Sequence, residues 1–240
     1  MSELTSRQSS SAKIKKLCMA ALFCALAYAS TFIFHFKVMF LTFDIKDAIV
    51  TLAGLLFGPV YSLAISAIVS LLEFISMGET GFWGFFMDIL STATFSTVCA
   101  LIYKYKKNIK GAIVGLIASV FSMTAVMLLF NIFITPIYMG VSRAEVIALI
   151  PSLFLPFNLL KAVMNSAVIM ILYKPISVAL KAAKVLPKNE LMKDASADSA
   201  EDGKKKNIIF SLVVSCVSVA IIVLCVLIFV FVMHGRFEIV

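Results

Sequence analysis

The chain has 240 residues, of which 62% are hydrophobic and only 14% charged. Ordinary soluble domains carry about 45–50% apolar and about 25% charged residues, so a soluble globular protein, a disordered chain and a nucleic-acid binder are excluded. An all-α integral membrane protein remains, and its formal net charge of +8 is first a statement about topology.

A helix needs roughly 20 apolar residues to cross a bilayer. Leu17 to Phe36 has no Asp, Glu, Lys or Arg and predicts a first, retained span. Ala48 to Leu72 contains Gly58-Pro59, a helix breaker. It predicts two helices, about 46–57 and 60–77, joined by a tight turn. The first of these is short, so Lys37 to Ile45 is expected to dip into the protein, where irregular backbone must be buried or line a cavity. Further spans are predicted over about 82–103 and 111–134, the latter ending at Thr135-Pro136. A loop is expected from Ile137 to about Pro151, then a sixth helix from Pro156 to Tyr173. Residues 181–206 read as a polar, mobile linker. Asn207 to Met233 predicts a seventh span. The five cysteines, at 18, 24, 99, 216 and 225, lie in apolar stretches without metal-ligand spacing and read as small hydrophobes.

Arg7, Lys13, Lys15 and Lys16 precede the first span, Lys104, Lys106, Lys107 and Lys110 follow the fourth, and Lys174 with the lysines of 181–206 follow the sixth. All fall on one side of the membrane; the other side has Lys37, Lys46, Arg143 and Arg236. The positive-inside rule puts the N-terminus in the cytoplasm, and an odd seventh span puts the C-terminus outside.

A central lysine costs about 2.5–3.5 kcal/mol on insertion scales, so polar groups in spans are functional candidates by default. Lys161 is the sharpest. It could snorkel to outer headgroups, but Asn158, Lys161 and Asn165 share one helix face by their spacing. Asn131 could serve an interhelical hydrogen bond. Glu73 and Asp88 could pair with a lysine of the bundle, and Asp44 and Asp47 could cap a helix. Collectively Asp44, Glu73, Asp88, Asn131, Asn158 and Lys161 come from six parts of the chain and share one depth, toward the outer ends of their helices. Aromatics such as Phe82, Trp83, Phe130 and Phe157 lie nearby. A polar cup with amide edges and aromatic walls suits a flat, partly polar heterocycle.

The chain has no Gly-x-x-x-x-Gly-Lys-Ser/Thr phosphate loop, no His-Glu-x-x-His, no Cys-x-x-Cys and no Gly-x-Ser-x-Gly elbow. Binding or transport is therefore preferred over an enzyme, and no metal is expected. Ala21, Ala25 and Ala29 place small residues every fourth position on the first helix, which lets another helix approach closely, in this chain or a partner.

Thr42-Phe43-Asp44-Ile45-Lys46-Asp47-Ala48, Gly54 with Gly58-Pro59, Thr80-Gly81-Phe82-Trp83-Gly84 and Phe157-Asn158-Leu159-Leu160-Lys161 together resemble the substrate-binding S-component of energy-coupling factor (ECF) vitamin transporters. The riboflavin-specific subgroup is the nearest. The resemblance covers about residues 12–182. It implies a six-helix S-component bundle with an outward pocket, covered by the loop after the first helix, and says nothing of residues 183–240. The bundle plus an additional C-terminal transmembrane helix is thus the expected fold. The resemblance carries flavin contacts onto Asn131, Asn158 and Lys161, and the pocket segments add Leu41, Thr42, Phe43, Asp44, Gly81, Phe82, Gly84 and Asp88. Asp88 stands where many relatives are expected to carry a neutral residue. The Ala21, Ala25 and Ala29 face would dock on a transmembrane coupling protein joined to two ATPase subunits. Riboflavin would be the transported substrate, with no cofactor. The alternatives are another vitamin or FMN, or a helix-bundle membrane protein or enzyme without a transported ligand.

Overall fold

The computed structural model describes residues 2–33, 36–38, 41–77, 81–182, 201–231 and 236–237. Helix α1 spans Ser2–Ile33 and is followed by strands β1 (Phe36–Val38) and β2 (Leu41–Phe43). Helices α2 (Lys46–Phe57), α3 (Pro59–Met77), α4 (Gly81–Tyr105) and α5 (Ile109–Met139) come next. A short α6 (Arg143–Leu149) passes through a π-helical turn (Ile150–Phe154) into α7 (Leu155–Ala182). Helix α8 (Glu201–Phe231) and strand β3 (Arg236–Phe237) close the chain. Among the described residues six helical stretches are long and apolar enough to cross a membrane: those of α1, α3, α4, α5, the joined α6–α7, and α8. The 12-residue α2 is too short to do so, as its sequence predicts.

The turn between α2 and α3 is fixed by glycine chemistry. Gly58 has φ +108°, a conformation that side chains disfavour, and Pro59 opens α3 where its missing N–H costs nothing. Gly54 lets the two helices close: a Cβ there would lie 2.8 Å from Ser62 Cβ. Gly54→Val should therefore overpack the α2–α3 contact and cost about 1–3 kcal/mol. A lowered thermal midpoint of the detergent-purified protein checks this, and an unchanged midpoint refutes it.

Five boundaries depart from the sequence reading. α5 continues through Pro136 to Met139 and ends at Gly140, which adopts a left-handed conformation and donates its N–H to Pro136 O. α7 likewise runs through Pro175. Proline is tolerated in membrane helices where neighbouring groups satisfy the freed carbonyl. The segment read as a loop from Ile137 to Pro151 is helical, because Ser142 and Glu145 form a reciprocal capping box that starts α6. At the end of α1, Phe36 is a strand residue, and α8 begins at Glu201 rather than Asn207. The middle of the expected linker, 183–200, lies outside the described residues.

β1 pairs antiparallel with β2 on one side and with β3 on the other. The main core is shared by α1, α2, α3, α4, α5 and α7 and includes Phe23, Leu52, Val69, Phe95, Met123 and Ile169. At one end Tyr103 of α4 and Tyr173 of α7 join through their hydroxyls. α8 packs along α7, burying Ser218, Cys225 and Phe229 while Leu212, Val219, Val223 and Leu224 face outward. All five cysteines are free.

Candidate ligand-binding site

The opposite end of the bundle is polar inside. There the C-terminal ends of α1, α3 and α5 meet the N-terminal ends of α2, α4 and α7, because helices joined by short connections alternate in direction. Between them lies a cavity of about 180 Å³. Its polar lining includes Asp44, Lys46, Glu73, Asp88, Asn131, Asn158 and Lys161. Apolar walls come from Leu41, Phe74, Phe85, Met127, Tyr138 and Phe157. Gly81 and Gly84 open the α4 side, where α4 presents residues 81, 84, 85 and 88 one and two turns apart.

Two buried lysines organise four carboxylates. Lys161 Nζ donates to Asp44 Oδ2 at 3.0 Å and lies 3.6 Å from Asp47 Oδ2. Asp47 Oδ1 also accepts from Thr92 Oγ1 at 2.6 Å. Lys46 Nζ donates to Glu73 Oε2 and, at 2.7 Å, to Asp88 Oδ1. Ser70 Oγ donates to Asp88 Oδ2 at 2.5 Å. Asp88 thus has both oxygens engaged, whereas Glu73 Oε1 and Ser91 Oγ are buried without a protein partner. A buried, unbonded acceptor is costly and marks where a ligand donor fits. The cluster formally carries two more negative than positive charges, so no cation in it is left over for an anionic ligand.

The amides divide into two roles. Asn165 is a brace: its Oδ1 accepts from Ala48 N at 3.0 Å and its Nδ2 donates to Asp44 O at 3.1 Å, tying α7 to the start of α2. Asn131 Nδ2 donates to Met127 O at 2.7 Å, and its Oδ1 accepts from Thr135 at 2.8 Å. Asn158 Nδ2 donates to Phe154 O at 2.8 Å. Both cavity amides are held by their own helices with hydrogen-bonding capacity remaining.

Nine of the eleven residues expected at a pocket line this cavity: Leu41, Thr42, Asp44, Gly81, Gly84, Asp88, Asn131, Asn158 and Lys161. Two do not. Phe43 turns into the seam between α7 and α8, edge-on to Phe157 and Phe229. Phe82 sits one helix position from Gly81, points away and is 60% exposed. Lys46, read from sequence only as an outer positive charge, is 1% exposed and central to the ion-pair cluster. Its position between Asp44 and Asp47, directly after the segment expected to dip inward, was the available signal. Ala21, Ala25 and Ala29 form one exposed stripe on α1, opposite the buried Ala20, Phe23 and Ala27.

A membrane helix bundle with a preformed polar cavity and apolar walls at one end is the architecture of a solute-binding membrane protein. The model of the family described as ECF transporter, substrate-specific component, matches residues 15–173, and the chain belongs to that family. It is 32% identical over 177 residues to the riboflavin transporter RibU of Staphylococcus aureus (strain TCH60), covering 70% of this chain and 93% of that protein. It is 24% identical over 173 residues to the riboflavin transporter FmnP of Bacillus subtilis (strain 168), covering 67% of this chain and 91% of that one. A solved structure described as the S component of a bacterial ECF transporter superposes with a TM-score of 0.61 at 30% identity, covering 70% of this chain and 99% of the other.

Proposed function

We propose that this protein captures riboflavin from outside the cell and presents it to an ECF module for ATP-driven uptake. The observation that carries the reading is the cavity, where two amides and a lysine face aromatic walls beside an unbonded carboxylate oxygen. The walls suit the flat isoalloxazine, with Asn131 and Asn158 bonding its pyrimidine edge and Lys161 donating to a ring carbonyl or nitrogen. The ribityl hydroxyls would donate to Glu73 Oε1 and exchange bonds with Ser91.

The lysine-rich ends of α1, α4 and α7 would face the cytoplasm and the cavity the exterior. The exposed Ala21, Ala25 and Ala29 stripe would meet the transmembrane coupling protein, with two ATPase subunits behind it; close helix approach is what such a stripe permits. The protein itself would need no cofactor.

Riboflavin fluorescence should be quenched on adding the purified protein, and absence of quenching at micromolar flavin would overturn the assignment. Asn158→Leu should weaken binding by about 10- to 100-fold, the expected effect of leaving one buried ligand group unpaired. FMN should bind at least about tenfold more weakly than riboflavin, because its phosphate meets a cluster whose cations are already paired and whose excess charge is negative. Competition by FMN, thiamine and biotin against bound riboflavin measures this order.

A further inference from the structure

The family match ends at residue 173 and the solved S component aligns with only 70% of this chain, so α8 and β3 lie beyond the shared bundle. They are nevertheless connected to the cavity at two points. Phe229, near the end of α8 and 5% exposed, stands 5.2 Å from the ring of Phe43 and 6.5 Å from that of Phe157. Phe157 is a wall of the cavity. Phe43 immediately precedes Asp44, the partner of Lys161. A few residues on, β3 adds itself to β1, pairing Lys37 with Arg236 and Phe36 with Phe237. β1 in turn pairs with β2, whose Leu41 and Thr42 line the cavity.

An isolated two-stranded ribbon is marginally stable in water. Here the third strand is tethered to a helix that is itself held against α7 through Cys225 and Phe229, together with Leu160 and Met164. For the β1–β2 pair to swing off the cavity, either β3 must part from β1 or the end of α8 must leave α7.

We propose that α8 and β3 form a strap that holds the β1–β2 pair against the cavity, with Phe229 as its positioning residue, and that the strap slows ligand exchange. Only the ligand readout rests on the riboflavin assignment. In the full-length protein, Phe229→Ala should speed backbone amide exchange in β1 and β2 by about tenfold, since exchange reports local opening. It should speed release of bound riboflavin, followed by fluorescence recovery, by a similar factor. The opposite change is Lys37→Cys with Arg236→Cys, on a background lacking the exposed Cys18 and Cys216. Register partners on antiparallel strands lie within disulfide reach, and oxidation should slow both amide exchange and flavin release relative to the reduced protein. Amide exchange in β1 and β2 that responds to neither change would overturn the strap, even if Phe229→Ala folds poorly and only the crosslinked protein can be read. If exchange responds as expected while the parent protein binds no riboflavin, the strap stands and the ligand assignment falls.

Discussion

Lys161→Met is expected to abolish measurable riboflavin capture and to lower the stability of the ligand-free protein by about 3–5 kcal/mol, the usual cost of breaking a buried ion pair from one side. The side chains of Lys161, Asp44 and Asp47 are 7%, 4% and 1% exposed, so water cannot replace the lost ammonium. Methionine keeps the length and apolar stem, which isolates the charge. The two effects separate in the triple variant Lys161→Met, Asp44→Asn, Asp47→Asn. Neutral amides still accept from Lys46 N and Thr92 Oγ1, the bonds those carboxylates now make. Stability should largely return while flavin binding does not. Recovery of both would mean that Lys161 serves the fold alone and does not touch the ligand.

The second large effect is at Lys46. Lys46→Met should destabilise the ligand-free protein by a comparable amount, about 3–5 kcal/mol, because Glu73 and Asp88 lose their shared counter-ion together. The two carboxylates should then respond differently to neutralisation. Asp88 has both oxygens engaged, by Lys46 and Ser70, so Asp88→Asn should lower the thermal midpoint with a smaller effect on ligand. In Glu73→Gln the amide oxygen is held by Lys46, which leaves the NH₂ facing the cavity where Glu73 presents an unbonded acceptor. A hydroxyl of the ligand then meets a donor. Riboflavin affinity should fall about tenfold, equivalent to about 1.4 kcal/mol, with a smaller loss of stability than for Asp88→Asn. Equal behaviour of the two variants in both assays would contradict this division of roles.

The legible parts of this molecule were those where the membrane leaves few options. Spans stand out because about 20 apolar residues are needed to cross, and Gly58-Pro59 leaves one place for the α2–α3 turn. The cavity was legible because buried polar groups are costly, so six of them at one depth demanded a common reason. Side-chain direction was not legible. Phe43 and Phe82 sit within the right segments but face the α8 seam and the outside. Lys46 lies at a helix start, where a surface charge and a buried one look alike in sequence. Pro136 suggested an end that its helix passes through, and α7 runs on past Tyr173, since local propensity yields to the bundle around it. The capping box Ser142 to Glu145 was present in the sequence but began a helix of only seven residues, too short to show a period. The pairing of β1 with β3 joins residues about 200 positions apart, and a two-residue strand carries no alternation to announce it.

The π-helical turn at Ile150–Phe154 has a further consequence for how this site can change over time. Its defining bond runs from Leu155 N to Ile150 O, one residue longer than an α-helical bond, so the turn behaves as a single inserted residue within an otherwise continuous helix. Everything after it is rotated by the angle of one residue, about 100°. Phe157, Asn158 and Lys161 aim into the cavity from a helix packed in the bundle, while α6 leads into it from a direction offset by that angle. Losing one residue within Ile150–Phe154 would return the turn to a regular α-helix, with α7 still seated against α2 and α5 and the short α6 re-aimed instead. The turn can therefore absorb a gained or lost residue at the mouth of the site, while the wall itself changes through point substitutions, one contact at a time.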